Sequence, residues 1–257
     1  MSFLSATIIS AIFTVGMLSR ARTPRLELER FPSAGRAVAG LIALILILAV
    51  VVFLPLLSFH SGGDTDLDEV GYPTLFLGHA LLALFLVVWW GLSGFPPWRE
   101  FLHFRARGVG RYLGLGLGAG LLGWAITVAV MALVTSAAGL IKPAPETAAE
   151  VPDVVRSIVD LSIFKRVGLI VSAMIVEEAF FRSFLQTRSG LLVSSLLFAA
   201  SHSSYGLPSM LVGVFSVSVV LGSIYRSTDN VLPCMIAHGV FDGLQLLFIL
   251  PMLVGGS

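Results

Sequence analysis

Eight apolar stretches, each near the ~20 residues a helix needs to cross a bilayer core, constrain this chain more than any other feature. They cover about 3–19, 37–59, 74–96, 112–141, 167–187, 190–206, 208–225 and 231–254. The fold they predict is all-α: a polytopic bundle of about eight transmembrane helices, forming one membrane-embedded domain. Composition agrees. Of 257 residues, 56% are hydrophobic and only 12% charged, about half the charged share of a soluble domain. A water-soluble chain of this length has no means of hiding so much apolar surface.

Several classes drop out early. A net charge of +1 with no long basic block gives no nucleic-acid partner. The single cysteine, Cys234, excludes an internal disulfide and a Cys-rich zinc site, and its apolar surroundings mark it as a packing residue. The first stretch does not read as a signal peptide, because its basic residues follow it.

Loop charges give an orientation. Arg20, Arg22, Arg25, Arg30 and Arg36 fill the first connection, and Asp64, Asp66, Asp68 and Glu69 the second. Arg99, Arg105, Arg107 and Arg111 return in the third. Both termini are therefore expected outside. The segment 142–166 is broken by Pro143, Pro145 and Pro152 and made polar by Glu146, Glu150, Asp153 and Asp160. Beyond Pro152, Val154, Val155, Ile158, Leu161 and Phe164 recur near helical spacing, predicting a short amphipathic helix at the membrane surface. Gly114, Gly116, Gly118, Gly120 and Gly123 crowd the fourth stretch, and Gly116 to Gly120 has the spacing of close helix packing.

The chain divides by content into a four-span N-terminal region, 1–141, and a region 142–257 whose spans carry ionisable groups. Such groups are costly in a bilayer and are candidates for function. The fifth stretch holds Glu177, Glu178 and Arg182, the sixth His202, and the eighth His238 and Asp242. Residues four apart share a helix face, so Glu178 can reach Arg182 and His238 can reach Asp242. Glu177 is turned ~100° away from Glu178 and has no arginine. One glutamate is paired and reads as structural; the other is free and reads as chemical. Threaded by the loop charges, Glu177, His202 and His238 lie roughly 10–18 Å from their helix ends at ~1.5 Å per residue, deep enough to meet in one cavity. His79 lies within the third stretch with no carboxylate near it in sequence, and is expected to be a hydrogen-bonded packing residue.

A carboxylate among Ile, Val and Phe is poorly hydrated and so a readier proton acceptor. A neighbouring imidazole can share the water's proton, and a second one can donate to the oxyanion. These groups suffice for non-covalent amide hydrolysis without a cofactor or metal.

The three clusters resemble the motifs of the CPBP family, the CAAX-protease and bacteriocin-processing (Abi/Rce1-like) membrane endopeptidases. EExxxR corresponds to Glu177 through Arg182, FxxxH to Phe198 through His202, and HxxxN or HxxxD to His238 through Asp242. The resemblance covers about residues 145–254 and marks 142–257 as the catalytic region. It implies a glutamate-dependent intramembrane peptidase acting on a membrane-associated protein or peptide. Glu177 with His202 would activate water, His238 with Asp242 would hold the oxyanion, and Glu178, Arg182 and Phe198 would support the site. An ionised Asp242 only accepts hydrogen bonds, where family members with Asn have a donor. Its expected role is therefore to orient His238. The short arginine-rich loops suggest a bacterial cytoplasmic membrane.

Rival readings use the same residues. His202, His238, Asp242 and Glu178 make a conceivable zinc set, although HExxH is absent and Arg182 competes for Glu178. Ser201, Ser203 and Ser204 flank His202 without a nucleophile motif around them. A non-catalytic membrane scaffold or immunity protein, or a proton-coupled transporter, would also hold buried ionisable groups, but no inverted repeat supports transport.

Overall fold

Apolar helices of uneven length account for nearly all the secondary structure. The computed structural model describes residues 3–19, 31–58, 76–141, 153–205 and 208–255, and among them there is no strand. Helix α1 is Phe3–Ser19 and α2 is Ala34–Leu48, which continues through a π-helical turn, Ala49–Phe53, to Ser58. The Ser33 hydroxyl caps α2 by accepting from the Arg36 amide at 3.4 Å. Next come α3 (Leu77–Leu92), the short α4 (Trp98–Phe101), α5 (Val109–Ile141) and α6 (Asp153–Asp160). Helix α7 (Ile163–Glu178) runs on through a π segment, Ala179–Gln186, to Ser189. Gly190, at φ +83, then breaks the chain direction, a conformation glycine adopts without penalty. Helices α8 (Leu191–Ser201), α9 (Pro208–Thr228) and α10 (Leu232–Leu244) follow, and α10 continues through a π turn, Gln245–Ile249, to Gly255.

Each of the eight predicted stretches contains a helix, but the count of about eight spans is not confirmed. Among the described residues four helices are long and apolar enough to cross a membrane: Ala34–Leu57, Val109–Ala137, Ser209–Thr228 and Leu232–Val254. Helices α1, α3 and α8 are apolar but short. Helix α7 with its extension has the length but carries Glu177, Glu178, Arg182 and Arg188. The connections 20–30 and 59–75, on which most of the orientation argument rests, and the prolines at 143, 145 and 152 lie outside the described residues. The amphipathic segment after Pro152 is helical only to Asp160. Phe164, expected on its apolar face, belongs instead to α7 and is 85% exposed.

Helix α5 packs along α9 and α10. A Cβ on Gly116 would lie 2.6 Å from Ile236 Cβ, and one on Gly120 would lie 2.7 Å from the Ala237 carbonyl oxygen. These two glycines let the backbones touch, as their spacing predicts. The other side of α5 is apolar and open, with Leu122, Leu121 and Leu133 exposed, a surface suited to lipid. On the opposite flank of α10, Gly239 lies against Met174 of α7, and this close approach brings His238 to the glutamates. The centre of the fold is aromatic: Phe85 and Trp89 of α3 meet Phe184 at 5.0 and 4.8 Å, edge to face. Cys234 is fully buried, in keeping with a packing role.

Candidate active site

The site is built on the junction where α7 widens into its π segment. π-helical turns are rare and recur at functional positions. All eight residues of this one are buried, and three neighbours pin it. Ser183 donates to the Leu102 carbonyl at 2.7 Å, Ser194 donates to the Phe181 carbonyl at 2.6 Å, and Gln186 Nε2 donates to the Gly222 carbonyl at 2.7 Å. The last α-helical residues before the widening are Glu177 and Glu178.

Glu178 is fully buried and both of its oxygens are occupied. Arg182 Nε donates to Oε2 at 3.0 Å, as the one-turn spacing predicts. Arg182 also donates to Ser218 Oγ at 3.0 Å and stacks over the Phe198 ring at 5.1 Å. The other oxygen, Oε1, receives His238 Nδ1–H at 3.0 Å. A carboxylate can only accept, so this contact sets the donor on the imidazole.

Glu177 faces elsewhere, as ~100° per residue requires. It lacks an arginine but it is not free: His79 Nε2 lies 3.1 Å from its Oε1. Its Oε2 is 3.9 Å from His238 Nε2. Glu177, His79 and His202 line a cavity of about 340 Å³, walled by Val50 and Val51 of the α2 π turn and by Leu81, Leu82 and Phe181. A second cavity of about 200 Å³ lies beyond His202, lined by His238, Asp242 and apolar residues including Ile158, Phe198 and Phe241. His202 belongs to both.

The FxxxH spacing has a physical meaning here. Helix α8 stops at Ser201 after 11 residues, ~16 Å against a core of ~30 Å. His202 is therefore at a helix end and not in mid-span as expected. Four residues back, the Phe198 carbonyl accepts His202 Nδ1–H at 2.8 Å, which in a neutral ring makes Nε2 the acceptor nitrogen. The Phe198 ring lies 4.6 Å from the His202 ring and 6.1 Å from that of His238. One phenylalanine thus packs against both imidazoles and Arg182.

The structure brings Glu177, Glu178, Arg182, Phe198, His202, His238 and Asp242 together. It redistributes two contacts. Asp242 was expected to orient His238, yet Glu178 holds Nδ1, and Asp242 Oδ2 lies 3.2 Å from Nε2, on the nitrogen that faces Glu177. Glu178, expected to serve only Arg182, joins the two motif helices. Sequence reasoning also missed His79, which comes from α3, and Ser172, whose hydroxyl lies 3.0 Å from His79 Nδ1. A histidine inside an apolar span was the signal available. Its partner lies 98 residues away in sequence, out of reach of any spacing rule. Among the described residues no group of three or more His, Cys, Asp or Glu is arranged to hold a metal ion.

Residues 160–244 match the family model described as "Type II CAAX prenyl endopeptidase Rce1-like". That stretch contains all three motifs, so the resemblance read from them is borne out. The uncharacterized protein YpbD of Bacillus subtilis strain 168 is 42% identical over 67 residues, which are 26% of this chain. The match spans about a third (35%) of that relative's length. No solved structure matches the chain.

Proposed function

We propose that this chain is a membrane-embedded peptidase of the CAAX-endopeptidase type, in which Glu177 and His202 activate water to hydrolyse a peptide bond of a membrane-associated protein or peptide. The observation that carries it is the meeting of Glu177, His202 and His238 where two cavities adjoin. In this reading a water between Glu177 and His202 loses a proton to Glu177 Oε2 and its oxygen adds to the scissile carbonyl. His202, steered by the Phe198 carbonyl, presents Nε2 to the same water. His238, acting as the imidazolium between the carboxylates of Glu178 and Asp242, keeps Nδ1–H on Glu178 and directs Nε2–H to the oxyanion as the carbon becomes tetrahedral. Glu177 then passes its proton to the amide nitrogen, the C–N bond breaks, and carboxylate and amine leave. No covalent intermediate forms. The setting would be a cell membrane, in a bacterium the cytoplasmic one.

The test uses the purified protein in liposomes with a quenched peptide ending in a farnesylated Cys-aliphatic-aliphatic-X sequence, and the same peptide without the lipid. The parent should release the C-terminal tripeptide. Glu177→Gln should remain folded and lose about 10²–10⁴-fold in turnover, the scale of a general base. Parental turnover in Glu177→Gln would overturn the assignment, as would a folded parent that cleaves neither peptide.

A further inference from the structure

We propose that His79 is a positioning residue for this chemistry: it donates Nε2–H to Oε1 of Glu177, so that Oε2 takes the proton of the attacking water, and Ser172 fixes the ring. This role rests on the peptidase reading above. It adds a residue from the N-terminal region, outside the stretch that matches the family model.

Geometry carries the assignment. His79 Nε2 and Glu177 Oε1 are 3.1 Å apart, and their side chains are only 13% and 12% exposed. Ser172 precedes Glu177 by five residues on α7, and its hydroxyl is 3.0 Å from His79 Nδ1. Helix α7 therefore grips both nitrogens of a ring that arrives from α3, which stops the ring from rotating. The Ser172 hydroxyl also reaches the Leu169 carbonyl at 2.9 Å. With its single proton turned to His79 Nδ1, the neutral ring keeps Nε2–H on Glu177; with that proton on the carbonyl, Nδ1–H donates to Ser172 and the ring keeps Nε2–H on Glu177 as the imidazolium. The consequence is an asymmetric carboxylate. Oε1 is held by His79, whereas Oε2 lies 3.9 Å from His238 Nε2, on the side where the substrate carbonyl would be polarised. A buried carboxylate oxygen with a fixed donor is both stabilised and aimed, and His79 lines the same cavity as Glu177 and His202.

A packing histidine and a positioning one differ in what their loss changes. With the farnesylated peptide in liposomes, His79→Leu should lower kcat by about 10–100-fold with KM within about twofold, the scale expected of a misaimed base. His79→Gln, whose amide can donate in the same direction, should recover most of that loss. Ser172→Ala should fall between His79→Gln and His79→Leu. Placed on Glu177→Gln, His79→Leu should have little further effect, because the two act through one carboxylate. If Glu177→Gln is inactive while His79→Leu keeps parental kcat, or loses only in KM, the positioning role is overturned and the peptidase reading stands. If Glu177→Gln is fully active, both fall. If the parent does not cleave the peptide, the ¹⁵N spectrum of labelled histidines decides the contact. An Nε2-protonated His79 whose signal moves in Glu177→Gln supports the role; an Nδ1-only proton insensitive to Glu177 overturns it.

Discussion

Helix α5 is apolar and largely open on its outer side, and small on its inner side, where Gly116 and Gly120 touch α10. Helix α7 with its π segment inverts this pattern: it turns Glu178, Arg182, Ser183 and Gln186 inward and buries all of them. The contrast shows what sorts a helix in lipid. Apolar surface gains little by leaving hydrocarbon for protein, so packing relies on small residues and on polar groups that find partners. In α5 the cohesion is steric, and in α7 it is a chain of hydrogen bonds from Ser218 through Arg182 and Glu178 to His238.

Five substitutions can break or sharpen that contrast. The largest effect belongs to the polar helix. Glu178→Ala leaves Arg182 buried without its carboxylate and His238 without its acceptor, and should lower stability by ~3–5 kcal/mol. Glu177→Ala removes a group that borders a cavity and should cost clearly less. Thermal unfolding of both in one detergent measures this, and equal loss would remove the distinction between a structural and a chemical glutamate. On the steric helix, Gly120→Ala pushes a methyl into the Ala237 carbonyl and Val240, and should cost about 1–3 kcal/mol as an overpacked contact. Gly118→Ala meets nothing within 4 Å and should leave the melting temperature unchanged. If the two alanines behave alike, the glycine contacts do not hold α5 to α10.

The smallest effect is expected at Asp242. Because Glu178 already fixes His238 Nδ1, Asp242→Asn should lower turnover less than tenfold, about 1.4 kcal/mol or under. Its amide oxygen can still accept from Nε2–H, and its N–H₂ adds a donor beside the oxyanion. A hundredfold loss in kcat on the farnesylated peptide would return the orienting role to Asp242.

Much of the candidate site is legible in the sequence. Glu178 with Arg182 and His238 beside Asp242 follow from residues one turn apart on a helix, and ~100° per residue separates Glu177 from its neighbour. Local spacing fails where the helix itself changes. No pattern signals that α7 widens at Ala179, or that α8 stops at Ser201 and leaves His202 as its cap. The count of about eight spans is not confirmed for a related reason. Apolar runs were measured against the bilayer, but α3 and α8 are short and buried in part by protein, and α7 keeps its charges by pairing them.

The sequence by itself determined that the chain is helical and membrane-embedded, and that its ionisable groups fall on α7, α10 and the end of α8. These are properties of composition and period, which act over one helix at a time. Only the tertiary structure decided who meets whom. His79 lies between Ser172 and Glu177 because α3 packs on α7. Glu178 and not Asp242 holds His238 Nδ1, because Gly239 lets α10 approach Met174 of α7. Such pairings depend on backbone approach between elements 60 and 98 residues apart in the chain, and helical periodicity carries no information over that separation.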